Sequence, residues 1–258
     1  MNDVKNRYFI QLSYKGTNYH GWQIQPNAVT IQEIITNSFR TILKEDIEIT
    51  GAGRTDTGVH ASYFMAHFDS IKSDLQKNEK LLFKINGFLP KDIAIHQIFK
   101  VDEEAHSRFE AISRTYHYYI HQQKDPFLVE SSYFLPQKLN IDIMNEACKL
   151  LPTFNDFTSF SKLHTDVKTN NCSITEAFWT KDAHKLKFTI TADRFLRNMV
   201  RAIVGTLIDI GKEKISLKDF TQIIENKDRS GAGVSVPANG LYLQNIIYPE
   251  TIFKKDNS

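Results

Sequence analysis

Two hydrophobic periods alternate along the first hundred residues, and their order leaves few folds open. Residues 7–14 set Phe9 and Leu12 among polar neighbours, as a strand does, and end at the turn residues Lys15-Gly16-Thr17-Asn18. Thr30 then opens a helix. Glu33 three residues on completes a capping box, and Ile31, Ile34, Ile35, Phe39, Ile42 and Leu43 recur at helical spacing as one buried stripe. Short strands follow at 47–50 and 63–68, then a helix over 75–83 and a strand over 93–101. The order β-α-β-β-α-β is an α+β pattern.

The second half has the same flavour without visible repetition. A strand is predicted over 114–121, a polar Pro-bearing stretch over 122–138 with a short strand at 133–135, and a helix over 141–151. Strands at 173–180 and 186–192 lead into a helix over 195–210, stopped by Gly211 as C-cap. Ser216 with Asp219 opens another helix, and 241–247 closes the chain as a strand. The charge run Asp102-Glu103-Glu104 reads as a solvated connection, giving halves of 1–105 and 106–250. The expected architecture is α+β, two α/β halves sharing a mixed, mainly antiparallel central sheet flanked by helices.

Composition excludes several classes. With 41% hydrophobic and 24% charged residues, 11 Gly and 7 Pro, the chain is not collagen-like, disordered or disulfide-stapled. A formal charge of +2 means that any polyanion site must come from local clustering. Cys148 and Cys172 have no metal or redox spacing, which suits a reducing cytosol. No apolar run of signal-peptide or membrane-spanning length occurs, so a cytoplasmic protein is expected.

The chemistry-bearing stretch is GAGRTDTGVHA at 51–61. Three glycines in eight residues allow positive φ or close approach of backbone to a ligand. One reading is a polar turn between strands, with Asp56 capping its own loop. Another is dinucleotide binding, but the residues after Gly58 alternate like a strand where a fingerprint needs a helix. A metal site is weaker still: the nine histidines show no HExxH or paired-Cys pattern, and His20, His60 and His67 read as packing or hydrogen-bonding residues.

The stretch GAGRTDTGVHA resembles the signature of the tRNA pseudouridine synthase A family. The likeness continues in order through YKGTNYHGWQ at 14–23, NGFLPKDIA at 86–94, SRF at 107–109 and RTYHY at 114–118. NDFTSF at 155–160, MVRAIVGT at 199–206 and GLYL at 240–243 complete it, covering nearly the whole chain. The resemblance implies the pseudouridine synthase fold with an active-site cleft between the halves. It implies an isomerase converting uridine to pseudouridine at positions 38, 39 and 40 of the tRNA anticodon stem-loop. It further implies a homodimer with tRNA lying across both subunits, and no metal, nucleotide or redox cofactor.

Carried over residue by residue, Asp56 is the catalytic residue, which must be ionised; a neighbouring arginine favours the charged form, and the resemblance offers Arg201 for that partner. Arg54 assists near the extruded nucleotide, with a loop salt bridge as its structural alternative. Tyr116 contacts the target base by stacking and as a candidate acceptor of the carbon-5 proton, where residue pattern alone makes it a core aromatic. Leu241 is an apolar wall of the uracil pocket, a role compatible with a buried strand leucine. Arg194, Arg197 and Arg201 recur at i, i+3 and i+7 on the predicted helix, opposite an apolar side, and read either as a solvated face or as a phosphate track. Residues 236–239 depart from many members and are expected to lie outside the chemistry; 162–171, with His164 and Lys168, is expected to face RNA. The alternatives to a tRNA isomerase are a non-catalytic RNA-binding module, a nucleotide-cofactor enzyme using the glycine loop, and a pseudouridine synthase of other RNA specificity.

Overall fold

The computed structural model describes residues 5–162 and 169–253, so His164 and Lys168 lie outside the described residues. Nine β-strands and five α-helices form within them, the expected α+β class. No helix among the described residues is long and apolar enough to cross a membrane. The chain divides into two compact units, one from residues up to 112 together with those from 243 onward, the other from 113 to 242.

The first unit runs β1 (Asn6–Tyr14), α1 (Ile31–Leu43), β2 (Thr50–Gly51), β3 (His60–Ser70), α2 (Glu79–Phe88) and β4 (Ile93–Lys100), the predicted order. β1 lies antiparallel between β3 and β4, with Phe9 opposite His67 and Phe99. Tyr8, Phe9 and Ile10 are all buried in succession, as in a strand covered on both faces. In α1, Ile31, Ile35, Phe39 and Leu43 are buried while Ile34 and Ile42 are half-buried. Of the capping box, the Thr30 half forms, its hydroxyl accepting from the Glu33 N–H. The helix expected over 75–83 starts later: 75–77 make a 3₁₀ turn, and Asn78 caps α2 by accepting from the Leu81 N–H at 3.0 Å. The strand expected over 47–50 is confined to Thr50–Gly51, paired with His67 and Ala66. The last described residues return to this unit, where Tyr248 packs edge-on against Phe9 and donates its hydroxyl to the Ser107 carbonyl.

The second unit contains β5 (Ser113–His121), β6 (Tyr133–Phe134), α3 (Ile141–Leu150), β7 (Ile174–Asp182), β8 (Lys185–Ala192), α4 (Met199–Gly211) and α5 (Leu217–Glu225), and the closing strand β9 (Leu241–Ile247) starts from it. β8 lies antiparallel between β5 and β7, while β6 pairs with β5 in parallel. Alternation along β8 buries Leu186, Phe188, Ile190 and Ala192 on one face. α3 packs against β7, α4 and α5. Ser216 and Asp219 form the full reciprocal capping box that starts α5.

One helix differs from expectation in a way that matters for the site. α4 begins at Met199, so Arg194 and Arg197 precede it and do not share a helical face with Arg201. Residues 193–198 are instead drawn into a turn: Asp193 accepts from the N–H groups of Ser173 and Arg194, and Met199 N–H bonds the Leu196 carbonyl. The helix is also not amphipathic. Every residue from Met199 to Gly211 except Arg201 and Asp209 is buried, as in a helix enclosed on all sides. Gly211 is its last helical residue and not a cap beyond it; a Cβ there would overlap the Met144 sulfur, so the position answers to packing against α3.

Candidate active site

The first unit builds the loop that carries Asp56. Its backbone is pinned on the side facing residues 14–22. Trp22 N–H donates to the Thr55 carbonyl at 3.2 Å, and Gly58 N–H to the Tyr19 carbonyl at 3.3 Å. The Tyr14 and Thr55 hydroxyls meet at 2.8 Å in a buried pair. With Thr55 held inward, its neighbours remain accessible: Asp56 is half-buried and Arg54 exposed. Val59 N–H returns to the Asp56 carbonyl at 3.1 Å, closing a turn at Gly58, whose φ is +78°. Gly21 has φ +85°, and a Cβ there would overlap the Thr55 carbonyl oxygen.

The motif glycines thus serve different ends. Gly58 supplies a left-handed turn and Gly51 admits the Trp22 indole, while a Cβ on Gly53 would meet nothing within 4 Å. The segments 14–23 and 51–61, far apart in sequence, are one construction around Asp56.

His60 and His67 are buried and hydrogen-bonded, as expected: His60 Nδ1 accepts from Gly16 N–H at 2.9 Å, and His67 Nδ1 contacts Ser107 Oγ at 2.8 Å. Burial, reinforced by the nearby His106 and Arg7, pushes the His67 imidazole down to about 4. His20 differs; it is exposed and engaged through its backbone. Among the described residues no group of three His, Cys, Asp or Glu side chains gathers that would hold a metal. Ser107 is fully buried and bonds the Thr50 carbonyl, so its contact with His67 anchors β2 to β3 and does not make a nucleophile. A cleft of about 180 Å³ opens beside the loop, lined by Trp22, Gln32, Gly51, Gly53, Arg54 and Phe109 among others.

The second unit holds the other predicted residues. Tyr116 stands on β5 opposite Ile190 of β8, half-buried, its ring edge-on to Phe195 at 5.1 Å. Leu241 is buried at the start of β9. Arg194 is half-buried, and Arg197 is exposed with its carbonyl accepting from Lys162 N–H. Arg201, half-buried in the first turn of α4, donates Nε to the Val236 carbonyl at 2.7 Å, and Val236 N–H donates back to the Arg201 carbonyl at 3.2 Å. Val236, the first residue of the segment 236–239, therefore adjoins Arg201. The sequence carried no signal for this, because the acceptor is a backbone carbonyl that any residue type presents.

The family model of tRNA pseudouridine synthases matches residues 11–110 and 147–249. The protein called tRNA pseudouridine synthase A of Parabacteroides distasonis is 53% identical over 247 residues, covering 96% of this chain and 98% of the relative. Those of Bacteroides fragilis and Bacillus subtilis, which bear the same name, are 52% and 38% identical, covering 96% and 92% of this chain and 98% and 97% of their own length. The chain belongs to the tRNA pseudouridine synthase A family.

Proposed function

We propose that this protein isomerises uridine to pseudouridine in tRNA, at positions 38, 39 and 40 of the anticodon stem-loop, with Asp56 as its catalytic residue. The observation that carries the reading is the loop around Asp56. Buried Thr55 fixes the backbone, and the next side chain stays accessible within a chain so similar to proteins of that name.

The reaction breaks the N1–ribose bond, turns the detached uracil and joins carbon 5 to the ribose. Carbon 5 gives up its proton and N1 takes one, so product and substrate are isomers and no electrons change hands. Nothing in that balance calls for a metal, nucleotide or redox cofactor. The target base must leave its stack for carbon 1′ and carbon 5 to be reached, at a cost of a few kcal/mol that phosphate contacts and a fitted pocket offset.

Asp56 acts as a carboxylate, by adding to the base or by removing a ribose proton; both routes need it ionised. Arg201 is the cation that the family resemblance offers as its partner. Arg54, exposed on the same loop, holds the extruded nucleotide. Tyr116 stacks on the target base and is placed in the role of receiving the carbon-5 proton, and Leu241 walls the uracil pocket. Arg194 and Arg197 contact backbone phosphates as neighbours in one turn, a role that needs no shared helix face. By family resemblance the enzyme works in the cytoplasm as a homodimer, its chain organised as an N-terminal half bearing the catalytic loop and a C-terminal half completing the site.

Release of tritium from tRNA labelled at carbon 5 of uracil tests the reaction. Mapping pseudouridine in tRNA from a deletion strain, before and after restoring the gene, tests the positions. Loss confined to 38–40 is expected; loss elsewhere, or no tritium release, contradicts the reading.

A further inference from the structure

The segment 232–237, between α5 and β9, lies along the N-terminal half of α4 and is tied down at both ends and in the middle. Gly233 N–H donates to Thr206 Oγ1 at 2.9 Å. A Cβ on Gly233 would stand 2.8 Å from the Thr206 nitrogen, and one on Gly205 would overlap the Val234 carbonyl oxygen. Helix and segment therefore touch backbone to backbone, with glycine on each side. Further along, Ser235 Oγ accepts from Asn198 Nδ2 at 2.7 Å and from Arg229 at 2.9 Å. The second hydrogen bond of Arg229 reaches the Ala232 carbonyl at 3.3 Å. Tyr118 hydroxyl donates to the Pro237 carbonyl at 2.8 Å. Burial pushes that phenol up, so it remains a proton donor.

Between Ser235 and Pro237 sits Val236, whose carbonyl receives Arg201 Nε. A guanidinium is planar and rigid, so holding Nε against one acceptor restrains the direction of the whole fork. The direction in which the terminal Nη groups extend then follows from where the Val236 carbonyl points. Asn198 shows what this arrangement takes from the local fold. It occupies the N-cap position of α4 at φ +67°, yet its side chain makes no cap bond to the helix and is given to Ser235 instead. Asparagine is a favoured capping residue, so a helix start left without that bond marks a side chain committed elsewhere.

We infer that residues 232–237 are a strap that aims Arg201, and that Ser235, the hydroxyl on which Asn198 and Arg229 converge, is a positioning residue for the reaction. The inference rests on the role proposed for Arg201. Ser235 touches no reacting atom in this account. Its effect passes through the Val236 carbonyl to the guanidinium, and a displacement on the order of 1 Å there is enough to cost roughly a hundredfold in rate.

The test compares Ser235→Ala, Ser235→Thr, Tyr118→Phe and Arg201→Ala on full-length protein, measuring kcat, KM for tRNA and thermal midpoint, with turnover read well below the midpoint. Ser235→Ala should lower kcat by roughly ten- to a hundredfold and leave KM within about twofold. Tyr118→Phe, which keeps the buried ring, should act in the same direction, and Ser235→Thr, which keeps the hydroxyl, should restore turnover. Wild-type kcat in Ser235→Ala alongside an inactive Arg201→Ala overturns the strap's role while leaving that of Arg201 standing. Loss in Ser235→Ala that merely follows the fraction unfolded, unrescued by threonine, overturns it as well. If Arg201→Ala itself turns over at the wild-type rate, the assignment of Arg201 fails and the strap's function falls with it.

Discussion

The hydroxyls of Tyr14 and Thr55 lie 2.8 Å apart in a buried pair, one residue before Asp56. They join β1 to the loop from the inside, so the pair sets the height at which the next residue leaves the core. Removing either partner deletes that bond, at about 0.5–1.5 kcal/mol. Tyr14→Phe and Thr55→Val should each lower stability by that order and reduce turnover further than stability alone explains. The double variant should cost less than the sum, because both polar groups are then gone. Urea unfolding and single-turnover rates on the four proteins check this cycle.

Two glycines near the loop should differ sharply in their response to the same substitution. Gly21→Ala forces a side chain into left-handed backbone and against the Thr55 carbonyl. It should cost at least about 1–2 kcal/mol and much of the turnover. Gly53→Ala meets open space, and its folded stability should stay within about 0.5 kcal/mol of wild type. Thermal midpoints of the two variants side by side test the contrast.

His67 gives the first unit an acid sensitivity with a defined sign. Held at about 4 against an ordinary 6.5, it is neutral in the fold at pH 5–6, where the unfolded chain takes up a proton. The unfolded state binds more protons across that window, so stability falls as pH drops from about 6.5 to about 4, by roughly 3 kcal/mol from this group. Asp69 opposes the shift, while His106 and Arg7 reinforce it. Urea midpoints at pH 7 and 4.5 should separate more in wild type than in His67→Asn.

Much of the fold is legible in the sequence. The order β-α-β-β-α-β is read from hydrophobic period, and Ser216-x-x-Asp219 announces the start of α5, because both signals are local. The start of α4 is not. Residues from Phe195 onward have helical spacing, yet Asp193 and the left-handed Asn198 hold 193–198 in a turn, and tertiary hydrogen bonds outweigh period there. The arginine stripe built on that period dissolves with it. The glycine-bearing Asp56 loop is legible as a motif; the buried Tyr14–Thr55 pair and the Val236 carbonyl behind Arg201 are not, since they are contacts across long sequence separations.

Every role proposed for this site turns on Asp56 as the reacting carboxylate. Asp56→Asn keeps the size of the side chain while removing the charge, and at a half-buried position it should fold like wild type, which a thermal midpoint checks. Tritium release from carbon 5 of labelled tRNA, measured alongside tRNA affinity, is the direct measurement. The prediction is affinity within about threefold of wild type and conversion lower by at least about 10⁴-fold. Turnover within tenfold of wild type, with binding intact, would contradict it.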